Sequence, residues 1–153
     1  MWFKMSTDNQ QLRAHLPMSL LTRCRWAIQF LRGVKISSGV NIFKGVHILR
    51  YPKNVEINRD VVIKTGAHIC SCNYAAKIKI GARSTIGFHT FIYASRGISI
   101  GDDCMIAPFV YIVDSNHGIV ANVRMNQQSI ESREILIGND VWIGTHTVIL
   151  KGV

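Results

Sequence analysis

The sequence is poor in several things. Four cysteines among 153 residues (Cys24, Cys70, Cys72 and Cys104) are too few and too irregular for a disulfide scaffold. Cys70-Ser71-Cys72 is a single C-x-C with no second pair, so it does not make a zinc site. Charge is scarce at 18%, below the roughly 25% of ordinary soluble domains, while 48% of the chain is apolar; a charged disordered tail is excluded. Acidic residues are scarcer still, 9 against 18 Lys and Arg, and the resulting +9 favours anionic partners. The basic residues form neither a run nor a platform interleaved with aromatics, which argues against nucleic acid. Long apolar stretches are absent: residues 16–31 are cut by Arg23 and Arg25, and residues 104–113 are too short to cross a bilayer. The opening Met1-Trp2-Phe3-Lys4 continues polar through Gln11, with no apolar core of a secretory signal, so the sequence reads as cytoplasmic. The length is that of one domain.

What is present is a repeat. Isoleucine recurs every six positions in five sets of three: 36, 42 and 48; 57, 63 and 69; 80, 86 and 92; 100, 106 and 112; 137, 143 and 149. No helical period produces this spacing. The position two before is small or β-branched (Val40, Val61, Ala67, Ser84, Thr90, Cys104, Val110), and residues two apart on a strand share a face. Each hexapeptide therefore turns one large and one small side chain inward. Glycine often follows the isoleucine (Gly81, Gly87, Gly101, Gly138, Gly144), as expected if the corner needs an unusual backbone dihedral. Three hexapeptides make one turn of a three-sided coil, and the extra residues always fall after the third side, following Ile48, Ile69, Ile92 and Ile112.

This pattern resembles the left-handed parallel β-helix of the hexapeptide-repeat acyltransferases over about residues 34–153. The expected fold is all-β, about five triangular coils with a short N-terminal α-helix. Residues 1–33 form the N-terminal segment and 34–153 the β-helix, with a long loop at 113–134. Within residues 10–33, Leu12, Leu16, Leu20, Ile28 and Leu31 alternate with Arg13, Arg23, Arg25 and Arg32, with Pro17 placed for a helix start and Gly33 past its end. This predicts an amphipathic helix that caps the first coil and offers peripheral membrane contact through its basic character.

The long loop carries Asp114-Ser115-Asn116-His117-Gly118; a solenoid does not need an insertion of this length for stability, and such loops are usually functional or disordered. Imidazole titrates near neutrality, which suits His117 to take a proton from a hydroxyl and return it to a leaving thiolate; Asp114 is placed to fix its tautomer. Together with Ile137-Gly138-Asn139-Asp140-Val141-Trp142-Ile143-Gly144-Thr145-His146, this stretch is similar to the sugar O-acetyltransferases: the maltose and galactoside enzymes and the modifiers of capsule, O-antigen and exopolysaccharide. The resemblance implies His117 as general base, with Asp114 and Asn116 in the catalytic set. It implies Trp142, Gly144 and Thr145 along the acyl-CoA arm, and Tyr93 and Ser95 at the acceptor. Lys151, with Arg124 and Arg133, would attract the CoA phosphates. It further implies acetyl-CoA as co-substrate without a metal, a saccharide acceptor, and a homotrimer with sites between subunits. A backbone N–H near Gly144 or Thr145 would hold the oxyanion.

Two other readings accompany it. A γ-class carbonic-anhydrase-like zinc enzyme would use His68, His89 and His117, but the closely spaced His pair of that class is absent. A non-catalytic scaffold is favoured by one feature: the rhythm calls for an inward residue beyond Val153, so the sequence reads as stopping within a coil.

Overall fold

The structure is a computed structural model that describes residues 18–153. After one helix, α1 (Leu20–Leu31), the chain climbs a three-sided prism. The first rung is β1 (Lys35–Ile36), β2 (Asn41–Ile42) and β3 (His47–Arg50). The second is β4 (Val55–Ile57), β5 (Val62–Ile63) and β6 (His68–Ser71). The third is β7 (Lys77–Ile80), β8 (Thr85–Ile86) and β9 (Phe91–Ala94), and the fourth β10 (Gly97–Ile100), β11 (Met105–Ile106) and β12 (Tyr111–Val113). A hairpin of β13 (Ser115–His117) and β14 (Ile130–Ser132) then leaves the wall. The fifth rung is β15 (Ile135–Ile137), β16 (Trp142–Ile143) and β17 (Val148–Ile149).

Each side of the prism is a five-stranded parallel sheet: β1-β4-β7-β10-β15, β2-β5-β8-β11-β16 and β3-β6-β9-β12-β17. The register is the one the repeat predicts. Ile57 pairs with Ile80, Ile80 with Ile100 and Ile100 with Ile137, and the other two sides stack in the same way. Isoleucines 42 to 112 of the repeat are buried, and the small partners Val40, Val61, Ala67, Ser84, Thr90, Cys104 and Val110 are fully enclosed. The two polar members are satisfied: Ser84 Oγ donates to Gly101 O and Thr90 Oγ1 to Ala107 O. The triangular parallel β-helix expected from the hexapeptides is the fold of the protein.

The corner glycines have a different reason from the one expected. Positive φ does not fall on the residue after each isoleucine but three after it, on Gly39, Asp60, Arg83, Asp103 and Asp140 at the first corner and on Gly45, Gly66, His89, Phe109 and His146 at the second. Gly81, Gly87 and Gly101 are needed for space instead. A Cβ on Gly87 would strike the Ala107 carbonyl of the next rung, and one on Gly81 would strike Gly101. Gly138 has nothing within 4 Å of that position. Gly87→Ala is therefore expected to lower stability by about 1–3 kcal/mol, because backbone must move, whereas Gly138→Ala stays within about 0.5 kcal/mol. Urea unfolding of the two variants checks this contrast.

The helix packs on the first rung and spans Leu20–Leu31; Pro17, Leu12, Leu16 and Arg13 lie outside the described residues. Ser19 is its N-cap, accepting from the Thr22 amide, and Gly33 follows its end at φ 90°. Three side chains lay donors on the open backbone edge. Trp26 Nε1 donates to Ser37 O, Arg25 Nη1 to Ile42 O and Arg32 Nη2 to Ile48 O, one near each side of the prism. This satisfies carbonyls that would otherwise present an exposed edge.

Candidate active site

All the longer connections leave by the third corner, and polar side chains stitch them together rung by rung. Asn54 Nδ2 donates to the carbonyls of Asn73 and Tyr74. Asn73 Nδ2 donates to Ser95 O at 2.6 Å while its Oδ1 accepts from the amides of Ala75 and Ala76. Asp114, fully buried, accepts from the amides of Ser95 (2.6 Å), Arg96 (2.7 Å) and Gly97 (2.7 Å).

Asp114 is thus not where the tautomer-fixing role would put it. The hydrogen bonds of its carboxylate go to residues 95–97 and none goes to His117. The reason is parity: Asp114 lies two after Ile112 and points inward beneath the corner, while His117 stands beyond it on the hairpin. Asp114 acts on the site by fixing the turn that carries Ser95.

His117 is exposed on β13, which pairs antiparallel with β14, Asn116 opposite Glu131 and His117 opposite Ile130. The hairpin forms one wall of a groove of about 680 Å³. Ser115, Asn116, His117 and Ile130 of the hairpin line it together with Tyr93, Ser95 and Tyr111 of the prism. Ser95 Oγ lies 3.1 Å from Ser115 Oγ. The structure therefore brings His117, Asn116, Tyr93 and Ser95 together. It also adds residues that the sequence reading missed: Leu49, Arg50, Cys70, Cys72 and Val113. A usable signal existed, since Leu49, Cys70, Tyr93 and Val113 each follow a repeat isoleucine directly and so share one outward column. Burial, reinforced by the neighbouring Cys72, pushes the Cys70 thiol up to about 11. It stays protonated at neutral pH and is a wall rather than a nucleophile. Burial also raises the Tyr93 phenol, which remains a hydrogen-bond donor. Arg50 sits at the far end, its Nη1 donating to Cys72 O at 3.0 Å.

The residues expected along the acyl-CoA arm lie elsewhere. Trp142 is 75% exposed on the second side of the prism, above Met105 and Thr85. There it borders an apolar groove of about 320 Å³ with Lys64, Phe88 and Pro108. Thr145 Oγ1 donates to Pro108 O at 2.7 Å, and Gly144 is exposed at the adjoining corner. The hairpin bearing His117 leaves by the third corner, the vertex opposite this side. One chain therefore does not bring Trp142 to His117.

Lys151 does not stand free for a phosphate. Its Nζ lies 2.6 Å from Glu131 Oε2, pinning β14 to the fifth rung, and this contact holds the Glu131 carboxyl below its usual range. A depressed carboxylate contributes to stability above its unfolded value and loses that contribution as pH falls through its folded one. The hairpin is expected to loosen on acidification below the carboxylate range, measurable as lower amide protection factors at residues 130–132, each rate being taken relative to the intrinsic rate at that pH. Among the described residues no group of three or more His, Cys, Asp or Glu is placed to hold a metal ion. His68 stacks between His47 and Phe91, and His89 stacks on Phe109. No helix among the described residues is long and apolar enough to cross a membrane.

Comparison with known proteins gives this geometry a context. No protein-family model matches the chain. The chain is a parallel β-helix, and several curated proteins similar to it in sequence are named O-acetyltransferases. It is 33% identical over 85 residues to polysialic acid O-acetyltransferase of Neisseria meningitidis, covering 55% of this chain and 40% of that one. It is 37% identical over 81 residues to galactoside O-acetyltransferase of Escherichia coli K12, covering 53% and 39%. Nodulation protein L of Rhizobium meliloti matches at 33% over 98 residues, covering 64% and 51%. The chain thus spans about two fifths to one half of the length of these relatives. Among solved structures, the N-acyltransferase AntD of Bacillus cereus, in complex with dTDP and 3-hydroxybutyryl-CoA, shares the fold with a TM-score of 0.67 at 19% identity, over 84% of this chain and 69% of that one.

Proposed function

We propose that the protein is an acetyl-CoA-dependent O-acetyltransferase that acts on a saccharide hydroxyl in surface-polysaccharide biosynthesis. The observation that carries this reading is the groove itself. An exposed histidine on a pinned hairpin shares the groove with Tyr93, Tyr111, Ser95 and Ser115, which offer hydroxyls and aromatic faces suited to a sugar. The names of the sequence relatives point to the same chemistry.

In this reading His117 accepts the proton of the acceptor hydroxyl as that oxygen attacks, and returns it to the departing sulfur. The thioester supplies the activated acyl group. The apolar groove beside Trp142 fits a pantetheine arm, and the exposed Gly144 and Thr145 offer backbone N–H groups to an oxyanion. Because Trp142 and His117 lie on opposed parts of the prism, the reading requires a homotrimer in which one copy's Trp142 side meets a neighbour's His117.

The test has two arms. With acetyl-CoA and a panel of neutral and acidic oligosaccharides, the purified protein is expected to release CoA thiol and acetylate at least one acceptor; release with none of them sinks the proposal. Mixed trimers assembled from His117→Ala and Trp142→Asp chains are expected to regain activity that neither variant has alone. Failure of that recovery, with both variants trimeric, would place the whole site within one chain.

A further inference from the structure

Helix α1 is amphipathic, but its polarity is reversed relative to an ordinary capping helix. Its buried residues are Thr22 and Gln29, and with Trp26 between them they form the face on the prism. The opposite face is apolar and open. Leu21, Cys24, Ile28 and Leu31 recur at intervals of three and four, the spacing of one helical stripe, and all are exposed. Leu31 is 83% and Leu20 76% exposed. The cap works through the donors of Trp26, Arg25 and Arg32, so the stripe is not needed to close the rung. A contiguous apolar face left in water calls for a partner.

The surrounding charge says which kind. From residue 9 to residue 55 the chain has no aspartate or glutamate, while Arg13, Arg23, Arg25, Arg32, Lys35, Lys44, Arg50 and Lys53 supply eight positive charges. Arg23, Lys35 and Lys53 are exposed, and Lys53 packs beside Gly33 at the helix end where Leu31 stands. A second copy docked here would set this excess against itself. An anionic bilayer surface complements both features: the stripe enters the headgroup–acyl boundary and the flanking cations meet lipid phosphates.

We infer that α1 is an interfacial helix that docks the N-terminal end of the prism onto an anionic membrane through Leu20, Leu21, Ile28 and Leu31, with Arg23, Lys35 and Lys53 as the cationic rim. The prism axis then stands away from the bilayer, and the groove lined by His117 opens on the side of the prism. Docking needs neither the acyl donor nor the acceptor, so it stands or falls separately from the proposed chemistry.

The experiment is co-sedimentation of the full chain with vesicles of phosphatidylcholine alone and with about a quarter phosphatidylglycerol. Binding is expected to the anionic vesicles only, weakening as salt rises from about 0.05 to 0.5 M. Ile28→Asp with Leu31→Asp is expected to reduce binding at least tenfold with an unchanged melting temperature, since both side chains are exposed. Lys35→Gln with Lys53→Gln should weaken binding and flatten its salt dependence. Absence of binding to anionic vesicles at low salt overturns the inference. So does binding that the Ile28, Leu31 variant leaves unchanged, or self-association through this face that the same variant abolishes while vesicles are ignored.

Discussion

His117→Ala is expected to slow acyl transfer by about 10²–10⁴-fold, the range for removing a positioned general base. The side chain is exposed on the hairpin, and its backbone pairing with Ile130 does not depend on the imidazole, so the fold and the melting temperature should be unchanged. Rate and stability must therefore separate. The measurement is CoA thiol release at saturating acetyl-CoA, alongside thermal unfolding of the same preparation. A variant that retains a near-normal rate removes His117 from the chemistry. His117→Asn probes the same point with a side chain that fills part of the space without accepting the proton, and it should be equally slow.

Asp114→Ala is expected to do the converse, costing stability first and activity in consequence. Its carboxylate accepts from the amides of Ser95, Arg96 and Gly97. Removing this buried carboxylate takes the acceptor from three amides of a half-buried turn, for a combined loss of about 3–5 kcal/mol. Asp114→Asn keeps the shape but turns one acceptor into a donor facing an N–H, and should fall between wild type and alanine. Chemical denaturation gives the ordering. If Asp114→Asn instead kept full stability and lost activity, as expected of a residue orienting His117, the clamp would not be its role.

Much of this was legible in the chain. Fifteen isoleucines at six-residue intervals leave one geometry for the core, and the register of Ile80 on Ile100 follows from it. The grouping of Tyr93, Ser95 and His117 was also accessible, because every insertion leaves by one corner. Three things were not. The period marks Asp114 as inward, but the amides it serves belong to the previous rung and are near only in space. Lys151 meets Glu131 through a hairpin whose pairing has no repeat to announce it. The orientation of α1 was hidden because its cap rests on long donors reaching backbone, not on burial of its leucines, so hydropathy alone selects the wrong face.

The stitching of the third corner has a consequence for how such a chain tolerates change. Asn54, Asn73 and Asp114 each tie the departing loop to backbone of its own or a neighbouring rung, so the strands on either side keep their alignment whatever the loop does in between. The first and second corners have no such slack: their stacked Gly81, Gly87 and Gly101 sit against the next turn of backbone, and one inserted residue there would throw every later isoleucine out of phase. The prism thus behaves like a zipper with one open side. Material added at that side lengthens the hairpin beside His117 and reshapes the groove, while the same material at either other corner would undo the core.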